Sequence, residues 1–121
     1  MSETPIFNAS VLNELNAELG PENTAEVLNT FLADTARKMS VIASADASRS
    51  IIKRESHSIK SSAATFGFER LSQLARQLEA GAEAMEAGAL AAAVQTLRRT
   101  FAETAGFAET TLLPAMGEIA V

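Results

Sequence analysis

Apolar residues return every three or four positions along most of this 121-residue chain, the spacing that places them on one face of an α-helix. Five helical stretches follow from it. The first runs from about Asn8 to Leu19 on the stripe Val11, Leu12, Leu15 and Leu19. Gly20-Pro21 ends it, because glycine accepts a left-handed cap and proline cannot continue the preceding helix. The second, about Glu22 to Ser44, carries Val27, Leu28, Phe31, Leu32, Met39 and Ile42. Asp46 is placed to cap the third, since its carboxylate can accept from the free amides of a first turn, and Gly67 breaks that helix after Phe66. A fourth opens at Phe68 or Glu69 on Leu71, Leu74, Ala75, Leu78, Ala82 and Met85, and tolerates Gly81 as far as Gly88. The fifth, about Leu90 to Leu112, carries Val94, Leu97, Phe101, Ala105 and Ala108 and stops at Pro114.

Long amphipathic helices joined by short connections pack as antiparallel neighbours, so the expected fold is all-α. The second to fifth stretches would form an up-and-down four-helix bundle, and the short first helix would cap it. The chain reads as one domain over residues 1–121, with 1–6 and 115–121 as flexible tails. A hydrophobic content of 47% is enough to fill a single core.

Composition narrows the chemistry. The chain has no cysteine, tryptophan or tyrosine, which excludes thiol catalysis, thiolate metal sites and a disulfide framework. Met1-Ser2-Glu3-Thr4-Pro5 lacks the basic and apolar regions of a secretory signal, and no apolar run approaches the roughly 18 residues of a membrane helix. A cytoplasmic monomer without membrane contact is expected. The net charge of −5 disfavours nucleic acid as a partner, because that affinity depends on clustered cations. The charge is unevenly spread, however. Between Arg37 and Arg76 eight basic residues stand against three acidic ones, +5 locally, which leaves −10 on the rest of the chain. Such a segment suits an acidic pocket or a phosphoryl group.

Within this basic segment lies the only histidine, His57, the one side chain here able to act as a neutral nucleophile near physiological pH. Helical phasing sets it nearly opposite the apolar face formed by Ile52, Ile59, Ala63 and Phe66, so it points to solvent. No carboxylate or second histidine lies three or four residues away, which argues against a metal site. A convex helical surface also offers no oxyanion pocket for a hydrolytic triad. What the spacing does suit is transient N-phosphorylation of the imidazole. Lys60, three residues on, can reach a phosphoryl oxygen, and Lys53, one turn before, adds to the same field. These cations should favour the neutral ring. Ser61 and Ala64 are small enough for a partner's cleft to close over His57. On the fourth helix Phe68, Ser72, Arg76 and Glu79 share a flank, with Phe68 either an exposed docking contact or, the more frequent case at a helix start, a core residue.

The run His57-Ser58-Ile59-Lys60-Ser61-Ser62-Ala63, then Phe66-Gly67-Phe68, then Leu71, Leu74, Ala75 and Leu78-Glu79, resembles the histidine-containing phosphotransfer (HPt) domains of two-component phosphorelays. The resemblance implies that His57 is the phosphoacceptor and Lys60 the phosphate-stabilising lysine. Gly67 matches the glycine of the turn between the two central helices, and Glu79 a polar position near the active histidine, where the resemblance implies a hydrogen bond to the histidine or a pairing with Lys60. Lys53, Ser61, Ala64, Gly67, Phe68, Arg76 and Glu79 are then the candidate docking residues. Two positions depart from the family pattern: Ser61 stands where glycine is most frequent, and Phe68 where a small or aliphatic residue is usual. The implied partners are response-regulator receiver domains and a sensor or hybrid histidine kinase. The chain itself would bind no cofactor, and the receiver would supply Mg²⁺. No autonomous kinase activity is implied, because the chain carries no nucleotide loop. Phe68, preceded by Ala64-Thr65-Phe66-Gly67, looks more like the phosphorylated N-terminal domain of chemotaxis histidine kinases, which keeps a kinase-substrate role open. A purely structural helical module is the third alternative.

Overall fold

The structure, a computed structural model, describes residues 4–120, and all regular elements among them are helical: α1 (Ala9–Leu19), α2 (Pro21–Ala43), α3 (Arg49–Phe66), α4 (Glu69–Gly81), α5 (Ala87–Phe107), a π-helical turn (Ala108–Leu112) and α6 (Leu113–Ala120). The helix ends follow local chemistry. Asn8 caps α1 by accepting from the Ser10 amide at 3.1 Å. Gly20, at φ 82°, closes α1 and leads into Pro21, whose missing N–H falls where a first-turn amide would lack a partner anyway. The cap expected from Asp46 comes instead from Ser48, whose Oγ accepts from the Ile51 amide at 3.1 Å, while Asp46 lies in the preceding turn with its amide on Ser44 Oγ.

Helix packing closes a ring in which α2 meets α3 and α5, and α4 meets the same two. Inside it lie Leu28 of α2, Ile59 of α3, Leu71 and Leu78 of α4 and Leu97 of α5, all buried to within 1%. Helix α1 lies across α2 and α3, and α6 returns to α2. Val27, counted with the apolar face of α2, is 39% exposed and lies at its margin.

The α3–α4 turn is the tightest part of the fold. Gly67 adopts the left-handed conformation at φ 83°, ψ 16°, with its amide on Ala64 O at 3.2 Å and the Phe68 amide on Ala63 O at 3.0 Å. This paired closure satisfies the last carbonyls of α3. The start of α1 crosses directly above, where the Asn8 amide donates to Gly67 O at 2.8 Å. Phe68 then turns inward and is fully buried, with its ring 5.6 Å from Phe31, 5.8 Å from Phe7 and 6.3 Å from Phe66.

Two helix ends differ from the sequence expectation. Helix α4 stops at Gly81 rather than continuing to Gly88, and the Ala84 and Met85 amides both turn back onto Gly81 O. Ala82 and Met85 keep the apolar period because they are buried from the turn itself, Ala82 completely, so the period outlasts the helix. Arg49 stabilises this turn from α3, donating from Nη1 to Ala82 O at 2.7 Å and Met85 O at 2.5 Å. Pro114, expected to end the last helix, does not. The backbone widens into the π turn at Ala108–Leu112, and Pro114 falls in the first turn of α6, where a missing N–H is tolerated. The tail expected to be flexible at 115–121 is therefore helical to Ala120, and Met116 is 2% exposed. At the other end Thr4 O and Pro5 O accept from Arg70 Nε and the Arg70 amide, which ties that part of the expected 1–6 tail to α4. Residues 1–3 and 121 lie outside the described residues.

A Cβ placed on Gly67 would stand 2.6 Å from Asn8 O and 3.1 Å from Val11 Cβ, in addition to requiring the left-handed backbone. Gly67→Ala is expected to destabilise the protein by about 1–3 kcal/mol, read as a lowered urea midpoint. An unchanged midpoint would show that α1 does not press on this turn.

Candidate functional site

Helix α3 presents Lys53, His57 and Lys60 at positions i, i+4 and i+7, one helical face, because the opposite positions Ile52, Ser56, Ile59 and Ala63 are buried. Helix α4 runs back alongside from the Gly67 turn, which brings Glu79 opposite His57 and Lys60, and Glu83, just past the helix end, opposite Lys53. The Ser72 hydroxyl donates to Lys60 O at 2.9 Å and fixes the register between the two helices on this face.

A single carboxylate joins the two central residues. Glu79 Oε2 lies 2.7 Å from His57 Nδ1, and Oε1 lies 2.7 Å from Lys60 Nζ. The Lys60 hydrogen bond, with a smaller contribution from His57, holds the Glu79 carboxyl below its ordinary value of 4.5 against the opposing effect of burial. Glu79 is therefore ionised at neutral pH and can only accept, so the imidazole hydrogen belongs on Nδ1. In the neutral ring the lone pair is then on Nε2. The His57 side chain is 61% exposed, so Nε2 is accessible on the protein surface, whereas Glu79 and Lys60 are 21% and 29% exposed. The field at His57 is thus not the purely cationic one expected from α3 alone, because Glu79 adds a carboxylate from the neighbouring helix.

The remaining predicted residues divide clearly. Ser61 and Ala64 are exposed on α3, and Arg76 is exposed on α4. Ala64 and Arg76 line an open groove of about 390 Å³ with Ser72, Gln73 and Thr4. Lys53 is on the surface, 3.3 Å from Glu83 Oε1. Phe68 does not belong to the docking surface, because its ring is completely buried among Phe7, Phe31 and Phe66. Gly67 is buried too, and its part is to set the turn. Glu83 and Arg49 were missed by sequence reasoning. The signal for Glu83 was its spacing of four from Glu79, the counterpart on α4 of the Lys53–His57 spacing on α3; for Arg49 there was none, since its targets are backbone carbonyls of a turn read as helix.

Among the described residues no group of three or more histidine, cysteine or acidic side chains is placed to hold a metal ion, and no helix is long and apolar enough to cross a membrane.

Comparison with known proteins bears on this arrangement. The Hpt domain family profile matches residues 26–107, which takes in the whole α3–α4 hairpin. The phosphorelay protein LuxU of Vibrio harveyi is 32% identical over 83 residues, covering 67% of this chain and 73% of LuxU. No solved structure matches.

Because Glu79 has a lowered pKa in the folded protein, its tether contributes stability that is fully present above pH 4.5 and is lost as pH falls through the lowered native value. The stability difference between the parent and Glu79→Gln should shrink as pH drops below about 4.5, measured by urea unfolding across pH 3–7. A difference that stays constant over that range would mean the carboxylate makes no such contact.

Proposed function

The chain belongs to the Hpt domain family and is a phosphorelay histidine phosphotransfer domain, and on that footing we propose that it relays a phosphoryl group between receiver-domain aspartates through phosphohistidine at His57. The observation that carries the assignment of the acceptor is the bridging carboxylate of Glu79. It fixes the proton on Nδ1 and leaves Nε2 as an exposed lone pair, with a cation within reach at Lys60. The Nε2 lone pair attacks the phosphorus of an aspartyl phosphate; the N–P bond forms as the acyl P–O bond breaks, and the aspartate departs as carboxylate. The proton stays on Nδ1, donated to Glu79, throughout. Transfer to a second receiver is the same exchange in reverse, an aspartate oxygen attacking as the N–P bond breaks. Lys60 offsets the charge gathered on the phosphoryl oxygens.

On this reading the chain is a covalently phosphorylated intermediate and not a kinase, and a sensor or hybrid histidine kinase stands upstream. Mg²⁺ and the acidic pocket belong to the receiver. Ser61, Ala64 and Arg76 form the surface around the ring against which a receiver would seat, and the small side chains leave its pocket room to close. The ring of helix contacts supports the antiparallel four-helix bundle as the rigid platform for this face. Phosphorylation by a chemotaxis-type kinase is the second reading. The likeness to a phosphorelay protein favours the relay, and Phe68, the residue that suggested the alternative, is spent in the core.

Incubation with a radiolabelled phospho-receiver is expected to label the parent and to leave His57→Gln unlabelled. Lys60→Ala should still label, with transfer slowed by about tenfold, the loss of one charge-assisted contact. Labelling of His57→Gln equal to the parent, or labelling of the parent only by a kinase core with ATP, would overturn the relay reading.

A further inference from the structure

Lys60 and the His57 ring depend on the same carboxylate. Both contacts to Glu79 are 2.7 Å long, and both Glu79 and Lys60 are more than two-thirds covered. If Lys60 swung fully onto a phosphoryl group, Glu79 would lose its counter-charge beside a dianion, and the contact that orients the ring would weaken with it. The cation on the other side of the histidine has no such tie. Lys53 is one turn before His57 on the same face, four residues apart, and its four-carbon stem is long enough for the ammonium to reach a group carried on the ring. Its partner is Glu83, at a longer 3.3 Å, with the two side chains 47% and 65% exposed. Glu83 also lies beyond the end of α4, in the turn that follows Gly81. An ion pair this exposed is weak and exchanges readily for a stronger anion.

We propose that Lys53 is a second phosphoryl-binding residue of this site, held by Glu83 while His57 is free and transferred to the phosphoryl group when His57 is modified. The inference rests on His57 being the phosphoacceptor and adds a role for the turn before it. No covalent bond changes in the exchange: Lys53 leaves one anion for another, and Glu83 turns to water. Lys60 then need not abandon Glu79, so the ring keeps its orienting contact in both states. The same Lys53–phosphoryl pairing opposes hydrolysis, in which a water oxygen bonds to phosphorus as the N–P bond breaks, the bonding pair returns to Nε2 and the water gives up a proton to solvent. A cation paired with the phosphoryl oxygens stabilises the dianion on the ring and leaves fewer of those oxygens open to water.

The test uses phosphoramidate, which phosphorylates imidazole without any partner protein: Nε2 bonds to phosphorus, the P–N bond of the donor breaks, and ammonia leaves with the proton. The half-life of the phosphohistidine is then followed by ³¹P NMR after the donor is removed. Lys53→Met is expected to shorten it by about two- to fivefold, the scale of one exposed charge pair, with Lys53→Arg restoring it. Glu83→Gln, which frees Lys53, should match or lengthen the parent half-life. Circular dichroism of each variant establishes that the bundle is intact. A parent half-life in Lys53→Met overturns the proposal, as does equal shortening in Lys53→Met, Lys53→Arg and Glu83→Gln, which would assign the effect to the bridge itself. If the parent forms phosphohistidine with phosphoramidate but not with a phospho-receiver, the relay reading fails while the role of Lys53 stands on its own half-lives. If phosphoramidate leaves His57 unmodified, both fail together.

Discussion

At Gly67 the backbone reverses through a left-handed residue that has no room for a side chain, and the positions of the functional groups are counted from that point. The Asn8 backbone presses on one side of the turn and the Phe68 ring locks into the core on the other. With the turn fixed, α4 returns alongside α3 in one register, and a residue 22 positions after His57 comes to stand beside it. A slip of one residue would rotate Glu79 by about 100° around α4 and away from the imidazole. The electrostatics of the site is therefore a consequence of backbone geometry at a glycine some ten residues away along either helix.

That register creates a row of charges across the hairpin, with Lys53 facing Glu83 and both His57 and Lys60 facing Glu79. Lys53 and Lys60, the lysines of α3 on either side of the histidine, each meet a carboxylate from across the hairpin, Glu83 in the turn after α4 and Glu79 on α4, which offsets their charge. On the proposed relay the arrangement has a physical cost, since carboxylates next to a histidine that carries a dianion must be moved or screened. It has a compensating effect as well, because a carboxylate at Nδ1 settles the tautomer and leaves the outward nitrogen free. The two acids differ in how firmly they hold: Glu79 is largely covered and makes two short contacts, while Glu83 is exposed and makes one long one. The loose and the tight halves of the site follow from where α4 ends.

The surface around the ring is built from small residues. Ser61 and Ala64 leave His57 standing above its surroundings, and the groove beyond them reaches Arg76 and the segment at Thr4 that Arg70 ties down. On the proposed relay, selection among receivers would rest on these side chains and not on the chemistry of the histidine. The aromatic cluster of Phe7, Phe31, Phe66 and Phe68 lies directly beneath and supplies rigidity instead of contact.

Much of this was legible along the chain. Period and punctuation located α1, α2 and α3 to within about two residues apart from the start of α3, and the phasing of α3 alone turned His57 outward and put Lys60 beside it, since positions three and four apart on a helix are neighbours whatever the rest of the fold does. The sequence misled where burial came from something other than a helix. Ala82 and Met85 kept the apolar period of α4 from inside a turn, and Phe68 stayed open between docking surface and core because its position before the first turn of α4 says nothing about which way the chain enters the core. Pro114 was read by its own preference, whereas a π turn ahead of it let the helix continue. Most consequential is the pairing across the hairpin, because Glu79 is 22 residues from His57 and 19 from Lys60, and Glu83 is 30 from Lys53, so no local pattern links them and only the family resemblance set Glu79 near the histidine. That His57 faces outward with a lysine three residues on was thus determined by the sequence through helical geometry; which ring nitrogen is turned outward, and which lysine meets an exposed carboxylate and which a covered one, was decided only when the tertiary structure set one helix against the other.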